Sequence, residues 1–337
     1  MREARFWEKA EEGKVRCGLC RFRCLIGNDQ RGVCGVRENR DGVLYTLVYG
    51  KSIAENIDPI EKKPLYHLLP GSTSFSVATV GCNFRCLHCQ NYEISQWPRN
   101  HREIPGRELP PKQIVRQALA AGCRSIAYTY TEPTIFMEYA YDTAVLAKEA
   151  GLKNVFVSNG YTTPEALAAV APYLDGANID LKGFSEKFYR EIAGATLQGV
   201  LETLRDYRRL GIWLEVTTLV IPGHNDSDGE LRDIARFIAG ELGVEVPWHV
   251  TGFYPTYKLT DAPPTPVAAL QRARRHGLEA GLQFVYAGNV PGAGGENTRC
   301  PACGETVIAR RGFRVLDVAL TDGACRHCGA LLAGIWT

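Results

Sequence analysis

Gly81-Cys82-Asn83-Phe84-Arg85-Cys86-Leu87-His88-Cys89-Gln90-Asn91 decides how this chain is read. Its three cysteines stand in the spacing C-x3-C-x2-C, close enough to share one tight loop. Three thiolates can hold three corners of a [4Fe–4S] cube, which leaves the fourth iron without a protein ligand. An iron with an open position is a place for chemistry, as an open catalytic zinc differs from a closed structural one. Two blander readings compete: three of four zinc ligands, with His88 as the nearby residue to complete the set, or simply buried thiols. Just upstream, Phe75-Ser76-Val77-Ala78-Thr79-Val80 alternates and carries β-branched residues, which predicts a strand leading into the loop.

Downstream, strand and helix patterns alternate. Strands are expected at 125–130, 154–158, 177–181, 213–221, 248–254 and 283–286, with helical stretches at 111–121, 135–150, 198–210, 227–242 and 267–280. Thr163-Pro164-Glu165 marks a further helix start, a hydroxyl cap followed by proline at the first helical position. Such repetition implies an α/β fold with a parallel sheet covered by helices. Right-handed crossovers curl that sheet into a partial (β/α)6 barrel, whose reactive groups gather at the carboxyl ends of its strands. Chemically suggestive residues do follow each strand. After the cysteine loop come Tyr130-Thr131-Glu132-Pro133, Ser158-Asn159-Gly160-Tyr161, Asp180-Leu181-Lys182, Val220-Ile221-Pro222-Gly223 and Phe253-Tyr254-Pro255. Tyr130, Thr131, Tyr254 and, from upstream, His67 are candidates to line a substrate space.

The rest of the composition is that of an ordinary globular enzyme of 337 residues, 45% hydrophobic and 23% charged. No run of about 18 apolar residues predicts a membrane helix. The amino terminus mixes charges and lacks the apolar core of a secretory signal, so the cytoplasm is the expected compartment. A net charge of +2 without a basic run argues against nucleic acid as a partner. Eleven of the twelve cysteines fall into three groups, and C-x2-C spacings without a signal peptide point to metal rather than disulfides. Three regions follow: a Cys-rich extension over 1–70, the barrel over 71–295, and a tail over 296–337. Cys123, outside the groups, reads as a small buried hydrophobe.

In the tail, Cys300-Pro301-Ala302-Cys303-Gly304 and Cys325-Arg326-His327-Cys328-Gly329 are two C-x2-C-G knuckles. Four thiolates there suit a closed tetrahedral site, with zinc as the default metal and a ribbon-like fold around it. His327 reads as a bystander. The extension carries Cys17, Cys20, Cys24 and Cys34 among Arg16, Arg21, Arg23 and Arg31. Cations there favour thiolates whether the ligand is zinc or an auxiliary Fe–S cluster, and the spacing leaves both open.

The cysteine loop closely resembles that of radical S-adenosylmethionine (SAM) enzymes, in which the amine and carboxylate of SAM chelate the free iron. Together with Glu132-Pro133, Asn159-Gly160, Asp180-Leu181-Lys182 and Pro222-Gly223, it resembles the ordered motifs of pyruvate formate-lyase activating enzymes, the glycyl-radical activases of that superfamily. The resemblance implies SAM-site roles by position. His88 stands where the family usually has an aromatic near the adenine. Thr131 and Glu132 stand where a Gly-Gly-Glu motif hydrogen-bonds the SAM amine through its backbone; here the motif reads Tyr130-Thr131-Glu132. Ser158, Asn159 and Asn178 face the same site, and Asp180 and Lys182 contact the methionyl carboxylate or a cation beside it. Val157 replaces an acidic cation ligand. The alternatives are structural: an ion pair for Asp180 and Lys182, and a helix cap for Glu132.

The chain's ends narrow the resemblance. The N-terminal cysteines, Asp58-Pro59-Ile60-Glu61-Lys62-Lys63-Pro64-Leu65-Tyr66-His67, the Cys-Gln-Asn after the loop and Gly288-Asn289-Val290-Pro291 resemble the radical SAM member of the AmmeMemoRadiSam group. That implies a reductant such as ferredoxin or flavodoxin, and Ammecr-type and Memo-type partner proteins. It also implies reductive cleavage of SAM to methionine and a 5′-deoxyadenosyl radical that takes hydrogen from a protein or small-molecule substrate. No side-chain acid or base is needed for that half-reaction. Two other classes stand beside it: an RNA-modifying radical SAM enzyme, and a non-enzymatic zinc-ribbon adaptor, which would leave the loop and strand ends unexplained.

Overall fold

Continuous apolar runs build the centre of the molecule, because a parallel strand covered by helices is buried on both faces. The computed structural model describes residues 1–290 and 292–337. One sheet orders its strands as the chain does: β1 (Ala54–Pro59), β2 (Thr73–Ala78), β3 (Ser125–Tyr128), β4 (Lys153–Ser158), β5 (Gly176–Asp180), β6 (Trp213–Val220), β7 (Trp248–Gly252) and β8 (Val285–Gly288). β2 to β8 are parallel, and β1 lies antiparallel on β2 with Ile57 opposite Phe75. Helices α1 (Pro111–Ala120), α2 (Met137–Glu149), α3 (Pro164–Val170), α4 (Leu197–Arg209), α5 (Asp228–Phe237) and α6 (Val267–Glu279) connect the strands.

Local chemistry sets the helix starts. Thr163 accepts the Ala166 N–H ahead of Pro164, as its sequence predicts, and Ser227 accepts the Glu230 N–H at 3.2 Å. Three expectations need correction. β3 stops at Tyr128 rather than 130, because Tyr130 takes a φ of 61° that no strand can continue. The helix expected over 227–242 is α-helical only to Phe237 and finishes as a π turn over Ile238–Leu242. Residues 54–59, expected in the extension, form β1 and complete an edge of the barrel sheet.

The extension before β1 is built from short antiparallel strands, among them Trp7–Lys9, Val15–Cys17 and Leu25–Ile26. Its Val15, Leu19, Ile26 and Val36 join the same apolar core as Phe84, Ile135 and Phe136. The tail forms a hairpin of β9 (Thr306–Arg311) and β10 (Arg314–Val318), and its Ile308 and Leu320 pack with Tyr66, Phe284 and Tyr286 from the barrel side. Cys123 is buried, and the twelve cysteines are free thiols. Of Gly288-Asn289-Val290-Pro291, the proline lies outside the described residues. Among the described residues no helix is long and apolar enough to cross a membrane.

Candidate active site at the barrel mouth

The cysteine loop leaves β2 and turns over the carboxyl ends of the parallel strands. It is pinned from below: the Arg85 and Leu87 N–H groups donate to the carbonyls of Ala193 and Ile192, each at 2.9 Å. Arg99 closes it from outside, donating to the Phe84 and Cys82 carbonyls at 2.9 Å. Gly81 permits the approach, since its φ is 101° and a Cβ there would stand 2.7 Å from Val36.

The loop faces a cavity of about 590 Å³ lined by Cys82, Cys86, Cys89, His88, Thr131, Glu132, Ser158, Asn159, Asp180 and Lys182. These loop and strand-end residues are therefore brought to one place, whereas Asn178, expected to face it, is not among the lining residues and its side-chain amide donates to the Pro64 carbonyl at 2.8 Å. Val157 lines the cavity too, with no acid at that position. Burial pushes the Cys86 thiol up to about 11, and burial with Glu132 nearby raises Cys82 further.

Glu132 takes the expected capping role and adds a second, structural one. Its carboxylate caps the turn after β3 by accepting the Thr134 N–H at 2.9 Å, and accepts the Ser158 hydroxyl and the Asn159 N–H, both at 2.8 Å. Burial raises its pKa, against the pull of these donors. The carboxylate thus joins the ends of β3 and β4, while Asn159 donates onward to Asn83 at 2.7 Å and towards the Cys82 sulfur at 3.7 Å. Tyr130 carries the left-handed backbone that a glycine supplies freely, and its carbonyl accepts Asn91 of the cysteine loop at 2.7 Å. Thr131 donates to the Thr79 carbonyl at 2.8 Å.

Lys182 and Asp180 do form an ion pair, at 2.7 Å, inside the cavity. Burial pulls the Lys182 ammonium down, but Asp180 and the Cys86 sulfur outweigh it and its pKa ends above the usual lysine range. His88 is held neutral: burial, then Lys182 and His224, lower it to about 3. Among the described residues its Nδ1 has no partner, nor have the buried Asn159 Oδ1 and Thr217 Oγ1; all three residues line the same cavity. A buried polar atom left unpaired costs about 1–3 kcal/mol, so these atoms suit a polar ligand that would satisfy them. Three thiols, unpaired acceptors and donors, and an amphoteric Asp–Lys pair together fit a [4Fe–4S] cluster bearing SAM.

Several residues in or behind the cavity wall were not singled out from sequence. Glu215, fully buried on β6, accepts His249 Nε2 at 2.6 Å and the Tyr66 and His67 N–H groups at 3.0 and 2.8 Å. His249, Tyr66 and Tyr286 line the cavity. The available signal was a glutamate and a histidine inside otherwise apolar strands, where a charge persists only if paired. Tyr130 and Thr131 line the cavity as expected, but His67 and Tyr254 do not. His67 is buried between the Ala333 carbonyl, at 2.8 Å, and the Tyr286 hydroxyl, at 2.7 Å, and Tyr254 is exposed. Phe313, at the turn between β9 and β10, brings the tail to the rim of the cavity.

Away from the mouth, the four tail sulfurs lie within 4.8 Å of one another. Cys300–Cys328 and Cys303–Cys325 stand 3.6 and 3.8 Å apart, close to the separation of about 3.8 Å that a tetrahedral zinc with bonds of about 2.3 Å imposes. The His327 backbone N–H donates to the Cys325 sulfur at 3.4 Å.

The site's relatives agree with its chemistry. Residues 76–238 match the Radical SAM superfamily. The chain is 49% identical over 331 residues, covering 98% of both chains, to an uncharacterized protein of Methanocaldococcus jannaschii. It is 22% identical to the pyruvate formate-lyase-activating enzyme of Clostridium pasteurianum, over 60% of this chain and 87% of that one. The fold is shared with a radical SAM methyltransferase from Sphaerobacter thermophilus, at a TM-score of 0.51 and 17% identity, over 70% of this chain and 71% of that one. It is also shared with Streptococcus suis SuiB bound to S-adenosylmethionine, at a TM-score of 0.52 and 14% identity, over 69% and 53%. The superfamily's cofactors are a [4Fe–4S] cluster and SAM, and its members require a reductant. Residues 76–238 are thus a radical SAM domain, and the chain is an enzyme homologous to the pyruvate formate-lyase-activating enzymes.

Proposed function

We propose that this enzyme is the radical SAM member of the AmmeMemoRadiSam group, and that its substrate is a protein or small molecule handled together with Ammecr-type and Memo-type partners. The observation that carries the radical SAM site is the cavity at the strand ends, to which the chain contributes three cysteines among its lining residues. Cys82, Cys86 and Cys89 would hold the cluster and leave one iron open. When bound, the cluster and SAM supply reductive cleavage of the sulfonium to methionine and a 5′-deoxyadenosyl radical. The chain's own part is placement. Glu132 fixes the ends of β3 and β4 against the loop, and Asp180 and Lys182 offer a charged pair matched to a zwitterionic amino acid. His88, Thr131, Ser158 and Asn159 complete the wall. Zinc on Cys300, Cys303, Cys325 and Cys328 stabilises the tail.

Two experiments test this. Anaerobic protein with SAM and dithionite should form 5′-deoxyadenosine, and Cys86→Ala should abolish that while retaining tail zinc; product from the variant would sink the site. Co-incubation with the two partner proteins, followed by mass spectrometry of every component, tests the substrate reading. No mass change in any component would remove it.

A further inference from the structure

The four N-terminal cysteines form a second site, built unlike the tail's. Cys17, Cys20 and Cys34 are buried and Cys24 is half-buried. Cys17 and Cys34 belong to one buried cluster with Cys24 packed against it, and the Cys17 N–H donates to the Cys24 carbonyl at 2.9 Å. The arginines expected around them are engaged elsewhere: Arg21 with Glu202 and Asp206, Arg23 with Glu165, Arg31 with Glu38, Arg16 with Glu8. The cation at the site is instead Arg37, fully buried, paired with Glu138 at 2.9 Å and facing Cys17 and Cys34.

Spacing separates this set from a zinc site. Among the described residues, the tail cysteines bring their sulfurs within 4.8 Å of one another, and no three of the N-terminal cysteines do. One zinc draws its thiolates together, whereas a cube seats each thiolate on a different iron and holds them farther apart. The local backbone differs as well. Each tail knuckle is followed by a glycine of left-handed φ, Gly304 at 78° and Gly329 at 77°, but Arg21 follows Cys20.

The set also abuts the active-site loop. The Cys34 carbonyl lies 3.0 Å from where a Gly81 side chain would begin. Arg99 donates to the Val33 carbonyl at 3.0 Å and to the Cys82 carbonyl at 2.9 Å, so one guanidinium spans both cysteine turns. We propose that Cys17, Cys20, Cys24 and Cys34 hold a second, fully thiolate-ligated [4Fe–4S] cluster beside the active-site loop. With four protein ligands no iron is open, which confines such a cluster to storing and passing single electrons. This inference does not depend on the substrate reading above.

Iron, acid-labile sulfide and zinc counts on the anaerobic full-length protein test it. About eight irons, about eight sulfides and about one zinc per chain are expected; about four irons with two zincs would overturn it. The variant Cys82→Ala/Cys86→Ala/Cys89→Ala should keep about four irons and an EPR signal on reduction, because the N-terminal site is untouched. An iron-free variant refutes the second cluster even if the wild type cleaves SAM. Conversely, iron retained in that variant alongside a wild type that yields no 5′-deoxyadenosine would refute the radical SAM site and leave this one standing.

Discussion

His67 sits fully buried with both ring nitrogens engaged, and burial holds its pKa down at about 4. Its ordinary value is about 6.5, so between roughly pH 6.5 and 4 the unfolded chain takes up a proton that the folded chain refuses. Stability contributed by the neutral ring is complete above that window and is lost as pH falls through it, by up to about 1.4 kcal/mol per pH unit. Urea titrations at pH 7 and pH 5 should show a smaller pH dependence in His67→Gln than in the wild type; equal slopes would show that the proton is taken up elsewhere. At Gly199 on α4, a Cβ would stand 2.4 Å from the Tyr161 ring and 3.1 Å from Arg21. Alanine is the better helix former by about 1 kcal/mol, yet the overlap should dominate. Gly199→Ala is expected to lower stability by about 1–2 kcal/mol, and a raised melting temperature would contradict the packing.

At the scale of elements, a buried arginine ties the tail hairpin to the barrel beside the apolar contacts of Ile308. Arg310 of β9 donates to the Tyr66 carbonyl and the Thr298 hydroxyl, both at 2.8 Å, lies over the Tyr66 ring, and stands 3.5 Å from Glu61. Neither side chain of that pair reaches solvent. Removing one partner strands a charge, so Arg310→Met should destabilise by about 3–5 kcal/mol, and adding Glu61→Gln should restore part of it. A double variant no better than the single would show that Glu61 is already neutral; its carboxyl is raised by burial against the pull of Arg310. Because Tyr66 and Phe313 both line the cavity, disrupting the proposed zinc site of the tail should also alter the mouth. Cys303→Ser is expected to lose zinc, lower the melting temperature and weaken SAM binding while leaving loop iron in place; unchanged SAM affinity in a zinc-free protein would separate tail from mouth. The parallel strands and most helices were legible in the sequence, because burial on both faces writes itself as an apolar run and a cap as Thr-Pro. β1 was not, since Ala54-Glu55-Asn56-Ile57 has neither pattern and pairs only because β2 offers it an edge.

Across the whole molecule, three cysteine groups and a polar cavity are carried by one sheet and two appendages. The sequence by itself determined the groups, the three-cysteine loop with its missing fourth ligand, and the order of polar residues at strand ends. Those features are local: each depends on spacing along a few residues or on the period of a strand. Tertiary structure alone decided which distant residues meet. Glu215 reaches His249 across neighbouring strands, and Arg310 reaches Tyr66 across 244 positions. It also decided the spacing within each cysteine group, narrow in the tail and wider at the amino terminus. The physical reason is that a C-x2-C spacing limits how close two sulfurs can come, but only the packing of the turns around them sets how close they do.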